Sequence, residues 1–135
     1  MTGQFRLSVA CAVANIAPAT LIRWMCRHEL EIGHKSDAAH RRLADLADAV
    51  RLIVMDVLTT HYGVDADFAA KVVNRHSVSI DVHTRSRRAG APGCGLIFVE
   101  PEGGVHPDSV ASAARFEVRL NPLIDHAIAR WPKEP

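Results

Sequence analysis

The stretch from residue 5 to residue 24 has the pattern of two short helices joined by a tight turn, and it limits the possible folds more than any other segment. Small and apolar side chains recur at steps of three and four in the first helix: Leu7, Ala10, Cys11, Val13 and Ala14. Asn15 suits the turn because asparagine tolerates the left-handed backbone conformation. Pro18 suits the first position of the second helix, where its missing N–H needs no partner. The stretch therefore predicts a helix-turn-helix pair.

The second helix has an inward and an outward face. Leu21, Trp24 and Met25 fall on the inward face by their spacing. The outward face offers a short hydroxyl and two guanidinium groups, which are able to meet phosphates or base edges of DNA, and its residues are Ala19, Thr20, Arg23 and Arg27. A secretory signal is the alternative for this stretch, because an arginine precedes a run of small apolar residues. An intact N-terminus in the purified protein would exclude that alternative.

A short hairpin is predicted after the second helix. Residues 29–33 and the polar stretch from His34 to His40 lead into Arg41 and Arg42, which indicates a wing with a mobile tip. Residues 23–42 hold five positive charges, Arg23, Arg27, Lys35, Arg41 and Arg42, against three negative ones, Glu29, Glu31 and Asp37. We expect Lys35, Arg41 and Arg42 to contact phosphates, since arginine in particular suits that role.

The remaining pattern predicts helices first and strands afterwards. Asp45 is a good N-cap for a core helix that ends near Tyr62-Gly63, and Asp65 caps the next helix, which runs to about Arg75. Beyond it the apolar period changes from 3.6 to 2. We expect strands around residues 78–82, 96–99 and 116–120, a basic loop over 85–95, a turn at 101–104, and a final helix from Asn121-Pro122 to about Trp131. Trp24 and Trp131 are predicted to be core anchors.

The predicted fold class is α+β, mainly α. A winged helix-turn-helix of four helices and a hairpin occupies residues 1–75, and a small antiparallel β segment with a C-terminal helix occupies residues 76–135. The 135 residues, 48% of them apolar and 23% charged, are enough to bury a core. No apolar run is long enough to span a bilayer, and the three cysteines have no paired spacing. We therefore expect a cytoplasmic, nucleoid-associated protein with no membrane partner.

Residues 5 to about 75 resemble the winged helix-turn-helix domain of MerR-family regulators. The resemblance rests on several segments in the family's order: Phe5-x-Leu7, Asn15 to Leu21, Trp24, the wing ending in Arg41-Arg42, Leu46 to Leu52, and Tyr62-Gly63-Val64 with Asp65. It covers just over half the chain. It implies a DNA-binding domain whose second helix lies in the major groove while the wing contacts the adjacent backbone.

The chain also departs from the family pattern. Arg6 and Ala17 stand where the family usually has a capping serine or threonine, which weakens both helix starts by about 1 kcal/mol each. Ile22 occupies a position often held by a DNA-contacting arginine, and Ala44 one often held by an aromatic residue. The family's long C-terminal dimerisation helix is replaced by residues 76–135. Promoter untwisting and metal sensing are therefore not implied.

Other candidate sites have weaker signals. A zinc site is chemically reasonable from Cys26, His28, His34 and His40, but their spacing is not a known signature, and we predict neither a metal nor a cofactor. Glycines 90, 93 and 95 precede a strand, so they indicate a hairpin loop and not a phosphate-binding loop. Arg85, Arg87 and Arg88 form either a second phosphate contact or a solvated basic loop. No motif points to catalytic residues, so the chain is not predicted to be an enzyme.

These observations predict a sequence-specific protein that binds double-stranded DNA, in the first place a transcriptional regulator. Recognition of a DNA site by one short helix is weak, so we expect a homodimer formed through residues 76–135. A phage-type excisionase or a DNA-packaging recognition subunit would use a related domain. A protein-interaction or ligand-sensing module is the alternative from another class, favoured by the formal net charge of +1. Binding to phosphate weakens steeply with salt, whereas an apolar interface barely responds.

Overall fold

Helix α3, Leu46–Asp56, lies at the centre of the molecule, and helices from both halves of the chain pack against it. The structure, a computed structural model, describes residues 4–35, 42–91, 95–99 and 116–133. As predicted, Asp45 caps α3: its Oδ1 accepts a hydrogen bond from the Asp48 N–H at 2.9 Å. Asp48 Oδ2 accepts in return from the Asp45 N–H at 3.0 Å, which completes a capping box. This start fixes which face of α3 meets its neighbours.

The other elements follow in chain order. They are β1 (Phe5–Arg6), α1 (Leu7–Ala14), α2 (Pro18–Arg27), β2 (His34–Lys35), β3 (Arg42–Ala44), a π-helical segment (Val57–His61) that extends α3, α4 (Ala66–Arg75), α5 (Ser77–Arg88), β4 (Leu96–Val99), β5 (Phe116–Arg119) and α6 (Leu120–Arg130). The described part is thus mainly helical with short antiparallel strand pairings, an α+β arrangement as predicted. The turn predicted at 101–104 lies outside the described residues.

Helices α1 and α2 meet at 109° across the short turn of residues 15–17. Asn15 is left-handed, with φ 57° and ψ 47°, and its N–H donates to the Ala12 carbonyl oxygen at 3.2 Å. Pro18 is at the start of α2, so both turn predictions are confirmed. Arg6 and Ala17 precede their helices without any side-chain cap, also as predicted. Leu21 and Trp24 are buried, which directs the opposite side of α2 outward.

The strands form two antiparallel groups. In the first, β3 is the middle strand between β1 and β2, with Phe5 opposite Ala44 and Lys35 opposite Arg42. In the second, β4 pairs with β5, with Ile97 opposite Val118. The expected strands at 96–99 and 116–120 are therefore confirmed apart from the last residue, which begins α6.

The strand predicted around residues 78–82 is wrong, because this segment belongs to helix α5. Ile80 and Thr84 lie one turn apart and are buried, whereas Val78 and Val82 are exposed. Residues 85–88, predicted as part of a loop, form the last turn of the same helix. The final helix was predicted to begin after Asn121 as its cap, but it begins at Leu120, so Asn121 is inside its first turn.

One buried core draws on both predicted parts of the chain. α5 and α6 pack on α3, and α6 also contacts α1. Trp131, after α6, meets the Phe5 ring edge-on with centroids 5.5 Å apart, and both Trp24 and Trp131 are buried as predicted. Within the described ranges, no single helix is long and apolar enough to cross a bilayer, although α1 and α2 together, as a bent pair, reach that length and composition.

Candidate nucleic-acid interface

The outward face of α2 presents most of the side chains that the sequence assigns to DNA. Ala19, Arg23 and Arg27 are exposed, and Thr20 is half-buried at the side of the helix. Ile22, the residue between Leu21 and Arg23, is also exposed, at 61%, as single apolar side chains on protein surfaces often are. Neither arginine forms an ion pair within the described residues. Both guanidinium groups are therefore available to an anionic partner.

The loop after α2 is held by a clamp that the sequence did not reveal. Glu29 has a φ of 56°, a left-handed conformation that is strained for a glutamate. The Asn74 side chain on α4 donates to the Glu29 carbonyl oxygen at 2.9 Å and accepts from the Glu31 N–H at 2.9 Å. One amide group thus satisfies both backbone groups and sets the direction in which the chain leaves α2.

The strand pair β2–β3 brings two of the predicted phosphate contacts together. Lys35 and Arg42 lie directly opposite each other, and both side chains are exposed. Like charges at opposed positions repel, so this pairing disfavours the free hairpin and favours an anion between them. Arg42 Nη1 also donates to the Ile32 carbonyl oxygen at 3.0 Å, which ties it to the base of the hairpin. Arg41 and the predicted mobile tip lie outside the described residues.

The base of the hairpin is fixed at Gly33. Its φ is +74°, and a Cβ there would lie 2.7 Å from the Leu43 carbonyl oxygen, so only glycine fits without a shift. The Gly33 N–H donates to Asp48 Oδ1 at 3.0 Å. Asp48 is itself bound by Arg51, which is buried. The signal for this pair was present in the sequence, because Asp48 and Arg51 stand three residues apart in a segment, Leu46 to Met55, that is otherwise apolar.

A cavity of about 390 Å³ opens where the turn before α2 faces the π-helical segment. Thr20 and Arg23 line one side, and Asp56 and Thr60 line the other. The Thr60 hydroxyl donates to Asp56 Oδ1 at 3.0 Å, which orients that carboxylate. The cavity therefore combines a cationic and an anionic group, and π-helical turns are frequent at functional sites.

Acidic residues lie beside the end of α2 and at the start of α3. Asp67 on α4 is 3.5 Å from His28 Nδ1 and 3.2 Å from Lys71 Nζ. The hydrogen bond and charge of Lys71 lower the pKa of Asp67, and His28 adds to the effect. Burial and the neighbouring Asp48 carboxylate raise the pKa of Asp45, although the Asp48 N–H opposes this. Glu29 and Glu31, in the loop after α2, are also exposed, so the charge of this loop is negative.

The basic residues of α5 divide into two kinds. Arg87 forms two hydrogen bonds with Asp125 on α6, at 2.9 and 2.8 Å, and this pairing lowers the pKa of Asp125 and raises that of Arg87. Arg85 and Arg88 are exposed on the last turn of the helix. Of the three arginines predicted to form a second phosphate contact, Arg87 is therefore already paired with Asp125.

Within the described ranges, no group of three or more histidine, cysteine or acidic side chains is arranged to hold a metal ion. His40, one of the four potential zinc ligands, lies outside those ranges. Burial raises the pKa of the Cys11 thiol, which makes it a poor nucleophile, and Cys26 is exposed on α2.

Comparison of the chain with models of protein families, with curated protein sequences and with solved structures finds no match.

Proposed function

We propose that this chain binds double-stranded DNA sequence-specifically, with α1 and α2 acting as a helix-turn-helix and the β2–β3 hairpin as its wing. The observation that carries the proposal is the placement of Arg23 and Arg27 on the outward face of α2, together with the opposed pair Lys35 and Arg42 on the hairpin that follows α2 in the chain. The 109° angle between α1 and α2 supports it, because helix-turn-helix units have angles of about 90–120°.

In this arrangement α2 lies in the major groove. Arg23 and Thr20 would contact base edges or the flanking phosphates, and Arg27 would contact the backbone at the other end of the helix. Lys35 and Arg42 would bind a phosphate of the adjacent backbone, which removes their mutual repulsion. The simplest role is that of a transcriptional regulator with an altered form of the MerR-like domain. An excisionase or a DNA-packaging subunit would use the same contacts.

The test is a titration of labelled duplex DNA at several salt concentrations. Because the DNA sequence that the protein prefers is not known beforehand, the duplexes are selected from a random-sequence pool by their binding to the unaltered protein. We expect Arg23→Ala and Arg42→Ala to weaken binding, with Arg42→Ala reducing the slope of log Kd against log salt by about 1. Arg119→Ala, an exposed arginine on β5, is the matched control and should bind as the unaltered protein does. Unchanged affinity in both α2 and hairpin variants would show the proposal to be wrong.

The cavity beside α2 favours a second candidate, a ligand-sensing module. Arg23 and Asp56 would bind the two ends of a small molecule that carries both charges. Such binding depends on Asp56, whereas DNA binding gains from its removal because a negative charge near the groove disappears. Asp56→Asn therefore separates the two candidates: tighter DNA binding supports the first, and loss of small-molecule binding supports the second.

A further inference from the structure

A buried polar network joins the base of the hairpin to the core helix. Asp48 and Arg51 lie one turn apart on α3 and expose only 4% and 9% of their surfaces. Asp48 Oδ1 accepts from the Gly33 N–H at 3.0 Å and from Arg51 Nη1 at 2.8 Å. Its Oδ2 accepts from the Asp45 N–H at 3.0 Å. Both carboxylate oxygens are therefore engaged, and one of their donors belongs to the hairpin.

The rest of the Arg51 guanidinium faces the first turn of α5. Arg51 Nε donates to Ser77 Oγ at 3.0 Å, and Nη2 donates to the Ser77 carbonyl oxygen at 3.2 Å. The same Nη2 lies 3.3 Å from Asp81 Oδ1. Arg51 thus connects Asp48, on one side, with two residues of α5 on the other. The planar fork of a guanidinium makes such a two-sided connection, which an ammonium group does not reproduce.

A buried ion pair of this kind adds little stability compared with apolar side chains of similar volume. Its distinctive effect is geometric, because each donor and acceptor has a fixed direction. On the hairpin side it fixes Gly33, whose left-handed backbone and close approach to Leu43 leave little room for adjustment. The hairpin position is therefore set partly from α5, more than forty residues further along the chain.

We propose that Asp48 and Arg51 are positioning residues that hold the β2–β3 hairpin in its DNA-binding orientation, and that α5 controls this orientation through Ser77 and Asp81. The consequence for DNA rests on the proposed function, whereas the consequence for the hairpin does not. Asp48 and Arg51 are both buried, so both act through the residues that they hold.

Two variants and one control test the network. Arg51→Lys keeps a positive charge beside Asp48 but loses the fork that reaches α5, and Ser77→Ala removes a single acceptor while its backbone carbonyl remains. Ser79→Ala is the matched control, since Ser79 is half-buried on the same helix and forms no hydrogen bond within the described residues. If Arg51→Lys fails to fold, the result with Ser77→Ala alone decides whether the network positions the hairpin.

The first measurement is amide hydrogen exchange in the folded protein. We expect the Gly33 N–H to exchange several-fold faster in Arg51→Lys and Ser77→Ala and at an unchanged rate in Ser79→Ala. Unchanged Gly33 exchange in both variants overturns the inference, whether or not the protein binds DNA. Faster exchange in a protein that binds no DNA upholds the positioning of the hairpin and refutes the proposed function instead.

The second measurement is the salt dependence of duplex binding. Displacement of the hairpin moves its cationic groups away from the DNA backbone, so the slope of log Kd against log salt should fall by about 1 for each phosphate that is no longer bound. A role confined to stability would lower the unfolding temperature and leave this slope unchanged, which would overturn the inference. Ser79→Ala should keep the slope of the unaltered protein.

Discussion

Replacing Gly33 with alanine tests the close approach between the hairpin and its own base. Gly33 has a φ of +74°, and the added Cβ would lie 2.7 Å from the Leu43 carbonyl oxygen and 3.1 Å from Leu7 Cδ2. The first of these neighbours is backbone, which has no rotamer to change. Strand β3 must therefore move, and with it the pairing to β1 and β2.

Two costs add in this variant. Holding an alanine in the left-handed region costs about 1–2 kcal/mol. Making room for a methyl group against packed backbone costs a further 1–3 kcal/mol or so. The expected loss is therefore about 2–5 kcal/mol, a large share of the roughly 5–15 kcal/mol that stabilises a typical domain.

Gly63→Ala is the matched control, because Gly63 also has a positive φ, +64°, but no atom of the described residues lies within 4 Å of its Cβ position. It should lose only the backbone cost of about 1–2 kcal/mol. The assay is urea unfolding followed by tryptophan fluorescence, since Trp24 and Trp131 are both buried. Equal losses of unfolding free energy in the two variants would refute the close contact at Gly33.

Three further outcomes are expected. Asn74→Ala removes both hydrogen bonds that hold the loop after α2, so it should lower the unfolding free energy by about 1 kcal/mol, and an unchanged urea midpoint would contradict the clamp. The hydrogen bond from Arg87 lowers the pKa of Asp125 below 3.8, so this pair stabilises the fold above that pH and loses its effect as the pH falls through the lower value. The melting-temperature difference between Asp125→Asn and the unaltered protein should therefore vanish in strong acid, and a constant difference would contradict this. If two copies pair through α5, where Val78 is 77% exposed, Val82→Glu should give a monomer by light scattering, and an unaltered protein that is already monomeric would refute the dimer.

Local signals predicted the first half of the fold well. Asn15 closes α1, Pro18 begins α2 and Asp45 caps α3, as expected from the residues alone. Gly63 follows the π-helical extension of α3, with a positive φ, and Asp65 caps α4. Each of these signals acts on its own backbone or on groups within a few residues, so no distant contact is needed to interpret it.

The prediction of a strand around residues 78–82 failed because burial, and not the apolar pattern, decides there between a strand and a helix. Val78, Ile80 and Val82 alternate with polar residues, which favours a strand, yet they lie on helix α5. The helix buries Ile80 and Thr84 on one side and leaves both valines exposed. Packing against α3 and the hydrogen bonds from Arg51 to Ser77 outweigh the weak strand preference of two valines.

The candidate interface was predicted by residue type but not by arrangement. The sequence alone determined that arginines would lie on the outward face of a short helix after a tight turn, because helical spacing and the buried Trp24 leave that face to solvent. Only the tertiary structure decided that Lys35 lies opposite Arg42, that Asn74 clamps the loop after α2, and that Arg51 joins the hairpin to α5. These contacts link groups up to 45 residues apart, and their directions depend on how whole helices pack, which no local pattern records.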